Sequence, residues 1–184
     1  MNERISYAAR TRATVLITGL ALLLSFGVTC AASAQGGDSA MLPPPSQEDQ
    51  AVLKRRLQTA KRDIEAFRIF AENSRNNGDK KTLAQLQNPV DDFLKKHVDN
   101  LLAQSAEHST LETTRLTAEI MYIKTRLLMS LNRRDAALAS VADMKRRFGT
   151  YQKISVELPG KTTTLDEGIR LLDEELAKTA INKK

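Results

Sequence analysis

Lys54, Lys61, Arg68 and Arg75 recur every seven residues, a spacing that sets four cations along one edge of a helix. Such a stripe can hold anions, and it is the strongest candidate in the chain for chemistry with a partner. It reads as a docking strip for an acidic partner or anionic lipid, while Arg133-Arg134 with Lys145-Arg146-Arg147 could form a basic patch for anionic lipid or a cell-wall polymer. Glu65 and Glu72 follow Lys61 and Arg68 by four residues, so opposite charges on neighbouring turns neutralise part of the stripe. Other constellations fall short of a site. Gly160-Lys161-Thr162 matches the end of a phosphate-binding loop, but that motif requires a glycine five residues earlier, where Ser155 stands. His97 and His108 are the only histidines, and neither forms the Glu-x-x-His pair of a metal-binding bundle. Asp173-Glu174-Glu175 reads as a solvated face, and no Ser–His–acid spacing or nucleophile elbow is present. The sequence therefore predicts a protein that is not an enzyme, with no catalytic, cofactor-binding or metal-ligating residue and no cofactor.

The beginning of the chain sets where any docking would happen. Arg4, Arg10 and Arg12 give a basic start, Ala13 to Val28 is an apolar run, and Ala32-Ser33-Ala34 places small residues at a cleavage site. Residues 1–34 read as a signal peptide cut after Ala34, which predicts a periplasmic or secreted protein. The single cysteine, Cys30, leaves with the signal. Disulfides, thiolate nucleophiles and Cys-based metal sites are thereby excluded from the mature chain. Losing Arg4, Arg10, Arg12 and Glu3 leaves 25 basic against 21 acidic side chains, a mild net charge of +4. Nucleic acid is excluded as a partner, because the charge is interleaved and aromatic residues for stacking make up only 4% of the chain. Residues 35–45, with Gly36-Gly37 and Pro43-Pro44-Pro45, form a leader with little to bury.

Residues 46–180 form a single helical domain, followed by a frayed basic tail at 181–184. The first helix opens at Ser46. Leu53, Leu57, Ala60, Ile64, Phe67 and Ala71 alternate spacings of four and three along it, and Asn77-Gly78 ends it. Asp79 to Gln87 predicts a short helix, and Asn88-Pro89 the start of the next, because Asn caps and proline suits a first helical position. Val90, Leu94, Val98 and Leu101 carry its buried face to an end near Ser105, with His97 at the margin.

Ser109 and Glu112 have the spacing of a capping box. Leu116, Ile120, Ile123 and Leu127 then form a seam that stops at Asn132. Ala137, Val141, Met144 and Phe148 form another, with Gly149 placed as a left-handed stop. So short a connection predicts an antiparallel hairpin. Met121, Leu128, Asn132, Ala137, Val141 and Met144 fall where the tetratricopeptide repeat places large, large, turn, small, large and small residues, and this hairpin resembles one such repeat over about 34 residues. The resemblance implies stacked helical hairpins.

Lys153 to Leu158 alternates polar and apolar residues, which predicts an extended segment near 152–158 ended by Pro159-Gly160. Thr164 and Glu167 form a capping pair for a last helix carrying Leu165, Ile169, Leu172 and Leu176. The fold expected is all-α, with about five mostly antiparallel helices in a bundle or short TPR-like array and one short extended segment. The function expected is an exported, non-catalytic binding or scaffolding module that contacts another cell-envelope protein. The alternative is a small-ligand or metal-binding bundle in the periplasm.

Overall fold

The computed structural model describes residues 47–181. The expected signal peptide, its cleavage site, the leader and the end of the expected basic tail lie outside them. The described chain is all-α apart from one β-hairpin. Helix α1 spans Gln47–Asn76, α2 Lys80–Phe93, α3 Asp99–Glu107, α4 Leu111–Ser130, α5 Arg134–Arg147 and α6 Leu165–Ile181. Among the described residues no helix is long and apolar enough to cross a membrane.

The six residues of the first seam, Leu53, Leu57, Ala60, Ile64, Phe67 and Ala71, are all buried. Gly78 ends α1 with a φ of +69°, and the Asp79 N–H donates back to the Ser74 carbonyl at 2.9 Å. Asp79 then caps α2, its side chain accepting from the Thr82 N–H at 2.9 Å. The expected break at Asn88-Pro89 is absent: α2 runs through Pro89, and one π-turn, Leu94–Val98, joins it to α3. Pro89 forfeits one backbone hydrogen bond. The burial of Leu86, Val90 and Phe93 on either side of it, with Phe93 stacked 5.2 Å from Phe67, holds the rod together across that defect. The π-turn then shifts the buried row by a residue, so that Leu101 and Leu102 both point inward.

Thr110, one position beyond the expected Ser109, caps α4. Its hydroxyl accepts from the Thr113 N–H at 3.2 Å, and its own N–H donates to Thr113 Oγ1 at 2.8 Å, so the reciprocal box uses threonine in place of Glu112. The turn after α4 repeats the turn after α1. Asn132 takes φ +60°, and the Arg133 N–H reaches back to the Leu128 carbonyl at 2.9 Å. Gly149 is not a left-handed stop; α5 instead closes through Phe148, whose N–H donates to Met144 at 3.0 Å.

Ion pairs give the helix directions. Lys54 meets Glu112, Lys61 meets Glu119 and Glu72 meets Arg126, so α1 and α4 run parallel. Tyr122 lies by Gly168 and Arg126 by Glu175, so α6 is parallel to α4 as well. Arg133 pairs with Asp91 and Arg147 reaches the Leu102 carbonyl, which sets α5 beside the α2–α3 rod and parallel to it. Consecutive helices alternate in direction. The result is two layers, α1, α4 and α6 in one and α2–α3 with α5 in the other, built from two stacked helical hairpins and a final helix.

The extended segment is one arm of a hairpin. Ser155–Leu158 (β1) pairs antiparallel with Lys161–Thr164 (β2). Pro159 and Gly160, whose φ is +83°, make the positive-φ turn between them. Val156 and Leu158 face inward, and Gly168 lets them approach, since a Cβ there would come within 2.9 Å of Leu158 Cδ1. With the hairpin over it, α4 is enclosed, and fourteen of its twenty residues are buried.

Candidate functional site

The four cations of the heptad stripe lie along the edge of α1 that meets α4. Lys54 Nζ sits 2.6 Å from Glu112 Oε1, and Lys61 Nζ 2.8 Å from Glu119 Oε2. Arg68 is held by its own helix, through Nε to Glu65 at 2.7 Å and through Nη1 to Glu72. These hydrogen bonds, Glu65's first, raise its already high pKa further, so it stays charged at any working pH. Arg75 Nη1 donates to the Met129 carbonyl at 3.3 Å, supplying a cation and a donor to the end of α4.

The residue that sequence reasoning missed is Glu119. It lies fully buried, where an unpaired carboxylate would be untenable. Three groups compensate it: Lys61 on α1, the Glu157 N–H of β1 at 2.7 Å from Oε1, and Arg115 Nε at 3.6 Å. One side chain thus ties α1, α4 and the β-hairpin together. Its signal was present, since Glu112 and Glu119 are themselves seven apart and complement Lys54 and Lys61 at the same interval.

At the far end of the same layer, Arg126 lies between Glu72 at 3.4 Å and Glu175 at 3.5 Å. Its partners outweigh a burial that alone would lower its pKa, and the net shift is upward. These three residues, with Arg75 and Ser130, line an open cleft of about 320 Å³. Its charges already satisfy one another.

A different cleft, of about 200 Å³, opens where the end of α3, the start of α4 and the end of α5 meet. Ser105, Ser109, Thr114 and Thr117 contribute hydroxyls, Arg147 a guanidinium, and Phe148 and Tyr151 aromatic walls. Thr117 donates to Ser105 Oγ at 3.0 Å, and Ser105 to the Leu102 carbonyl at 2.8 Å. The threonines clustered in the first turns of α4 are the only sequence signal for it.

The remaining sequence candidates are occupied or apart. His97 is exposed and stacks 5.8 Å from Phe93. Gly160-Lys161-Thr162 forms the hairpin turn and the start of β2. Asp173 pairs with Lys145 at 2.7 Å, Glu174 with Arg170, and Glu175 with Arg126. Asp143 takes both Arg146 and Arg147. Among the described residues no three His, Cys, Asp or Glu side chains gather closely enough to hold a metal ion. Comparison with protein-family models, with curated proteins and with solved structures returns no match for this chain.

Proposed function

We propose that this is an exported, non-catalytic helical module that docks an acidic protein of the cell envelope on the outer face of α1. The observation that carries the reading is the composition of that face. Val52, Arg55, Thr59, Arg62, Ala66 and Ile69 follow one another at spacings of three and four and are all exposed. Val52 and Ile69 leave 50% and 47% of their surface in solvent. Among the described residues Arg55 and Arg62, which sit between them, make no ion pair, whereas Lys54, Lys61 and Arg68 in the same layer are all paired. The two arginines stand roughly 10 Å apart along the helix axis, so the partner supplies carboxylates at a similar spacing, flanked by apolar contacts. A rigid platform suits this use, because α1 is held along its opposite side by α4.

A photoreactive residue at Thr59, the centre of this face, tests the reading. It should form a salt-sensitive crosslink to one envelope protein, because exposed charges are screened over about 8 Å at physiological ionic strength. The same residue at Leu138, an exposed apolar position on α5, should not. No crosslink from Thr59, or equal crosslinking from both positions, contradicts it. A second reading, a small-ligand-binding bundle, is favoured by one feature, the cleft lined by Thr114 and Arg147.

A further inference from the structure

We infer that the cleft between α3, α4 and α5 binds a small organic anion, a carboxylate carried on a short apolar skeleton. Three observations converge on this class. First, two donors in the cleft are left unspent. Thr114 is only 8% exposed, lines the cleft, and its hydroxyl makes no hydrogen bond within the described chain. Unlike the Thr125 hydroxyl, which is spent on the Met121 carbonyl at 2.8 Å, it is left open to the solvent of the cleft. Arg147 uses Nε on Asp143 at 3.1 Å and Nη1 on the Leu102 carbonyl at a long 3.4 Å, which leaves Nη2 to donate. One guanidinium edge and the Thr114 hydroxyl suit an oxyanion that accepts several bonds at once.

Second, the rest of the wall is apolar. Phe148 is buried behind the cleft, while Tyr151, at 38% exposed, stands at its surface. A bare inorganic anion gains nothing from these surfaces. A short carbon chain does, at about 0.8 kcal/mol for each methylene buried.

Third, size limits the guest. A volume of about 200 Å³ lies below the ~300 Å³ at which sites for drug-sized ligands begin. It suits a molecule the size of butyrate. Beside the cleft, His108 Nδ1 is buried without a partner one residue before Ser109, so polar capacity is in surplus at this corner of the fold.

Butyrate is the probe, with butyramide and inorganic phosphate as controls, in amide-resolved NMR titrations of the purified protein. Saturable shifts confined to residues 105–117 and 147–151 are expected with butyrate only. Thr114→Val should weaken binding about tenfold, the factor carried by one hydrogen bond to a charged group. Its melting temperature should not fall, because the hydroxyl it removes bonds nothing in the unliganded protein. Arg147→Gln should abolish binding. Three results overturn the inference: no saturation by butyrate, equal response to butyramide or to phosphate, or butyrate affinity unchanged in Thr114→Val. Should Arg147→Gln fail to fold, Thr114→Val and the two control ligands still decide the matter.

Discussion

Lys61 Nζ and Glu119 Oε2 lie 2.8 Å apart although 58 residues separate them in the chain, and Glu119 is fully buried while Lys61 keeps about a quarter of its side chain in solvent. The pair fixes the register of two parallel helices. Through the other carboxylate oxygen it also holds the backbone of β1.

Breaking the pair from one side should be costly. Lys61→Met leaves the Glu119 carboxylate buried with only the more distant Arg115 as a cation, and should cost about 3 kcal/mol, the low end for such pairs because Lys61 is part-exposed. Removing both charges, as Lys61→Met with Glu119→Leu, should recover part of that loss. The shortfall, about 1–3 kcal/mol, is the price of the Glu157 N–H left without its acceptor. Denaturant unfolding of the three proteins measures it. Additive losses in the double variant would mean the two residues do not act as a pair.

The two equivalent turns make opposite forecasts. Gly78 and Asn132 both occupy left-handed backbone, and a Cβ on Gly78 would meet nothing within 4 Å. Gly78→Ala should therefore cost about 1–2 kcal/mol through backbone strain alone. Asn132→Gly should leave stability unchanged or slightly raised. Thermal melting by circular dichroism distinguishes them, and a neutral Gly78→Ala would refute the strain argument.

Asp63 gives a pH signature. Burial raises its pKa above the usual 3.8, against the opposing pull of Arg62, so the folded state disfavours its charged form. Its contribution to stability is fully present below the ordinary carboxylate pKa and is lost as the pH rises through the raised value. Asp63→Asn should melt higher than the parent at pH 7, with the difference disappearing as the pH falls below the carboxylate range. Equal melting temperatures at pH 7 would place Asp63 in ordinary solvent.

How much of this was legible depended on whether the cause was local. Leu53 to Ala71 and Leu116 to Leu127 announce α1 and α4 because a buried helix face imposes its own period. Pro89 misled because a local breaker lost to burial of Leu86, Val90 and Phe93, which only the neighbouring helix makes worthwhile. Lys161–Thr164 showed no alternation, and it is a strand only because β1 lies beside it. The heptad cations were visible, but their orientation toward α4 was not, since it depends on α1 and α4 running parallel, a relation set by the hairpin between them. The cleft was hidden for the same reason. Ser105, Thr114 and Arg147 stand on three different helices, and only the stacking of α3, α4 and α5 gathers them.

Charge reversal on adjacent faces of α1 tests the functional account most directly. Arg55→Glu with Arg62→Glu alters exposed cations that make no ion pair among the described residues, so the melting temperature should fall only slightly, through the lost pull of Arg62 on Asp63, while capture of the partner crosslinked at Thr59 should fall about tenfold, from roughly 1 kcal/mol or less for each charge contact. Lys61→Glu does the reverse in kind, setting a second carboxylate against buried Glu119, and should lower the melting temperature sharply. Full capture by the Arg55/Arg62 double variant, with its fold intact, would contradict the proposal that α1 presents its outer face to an acidic partner.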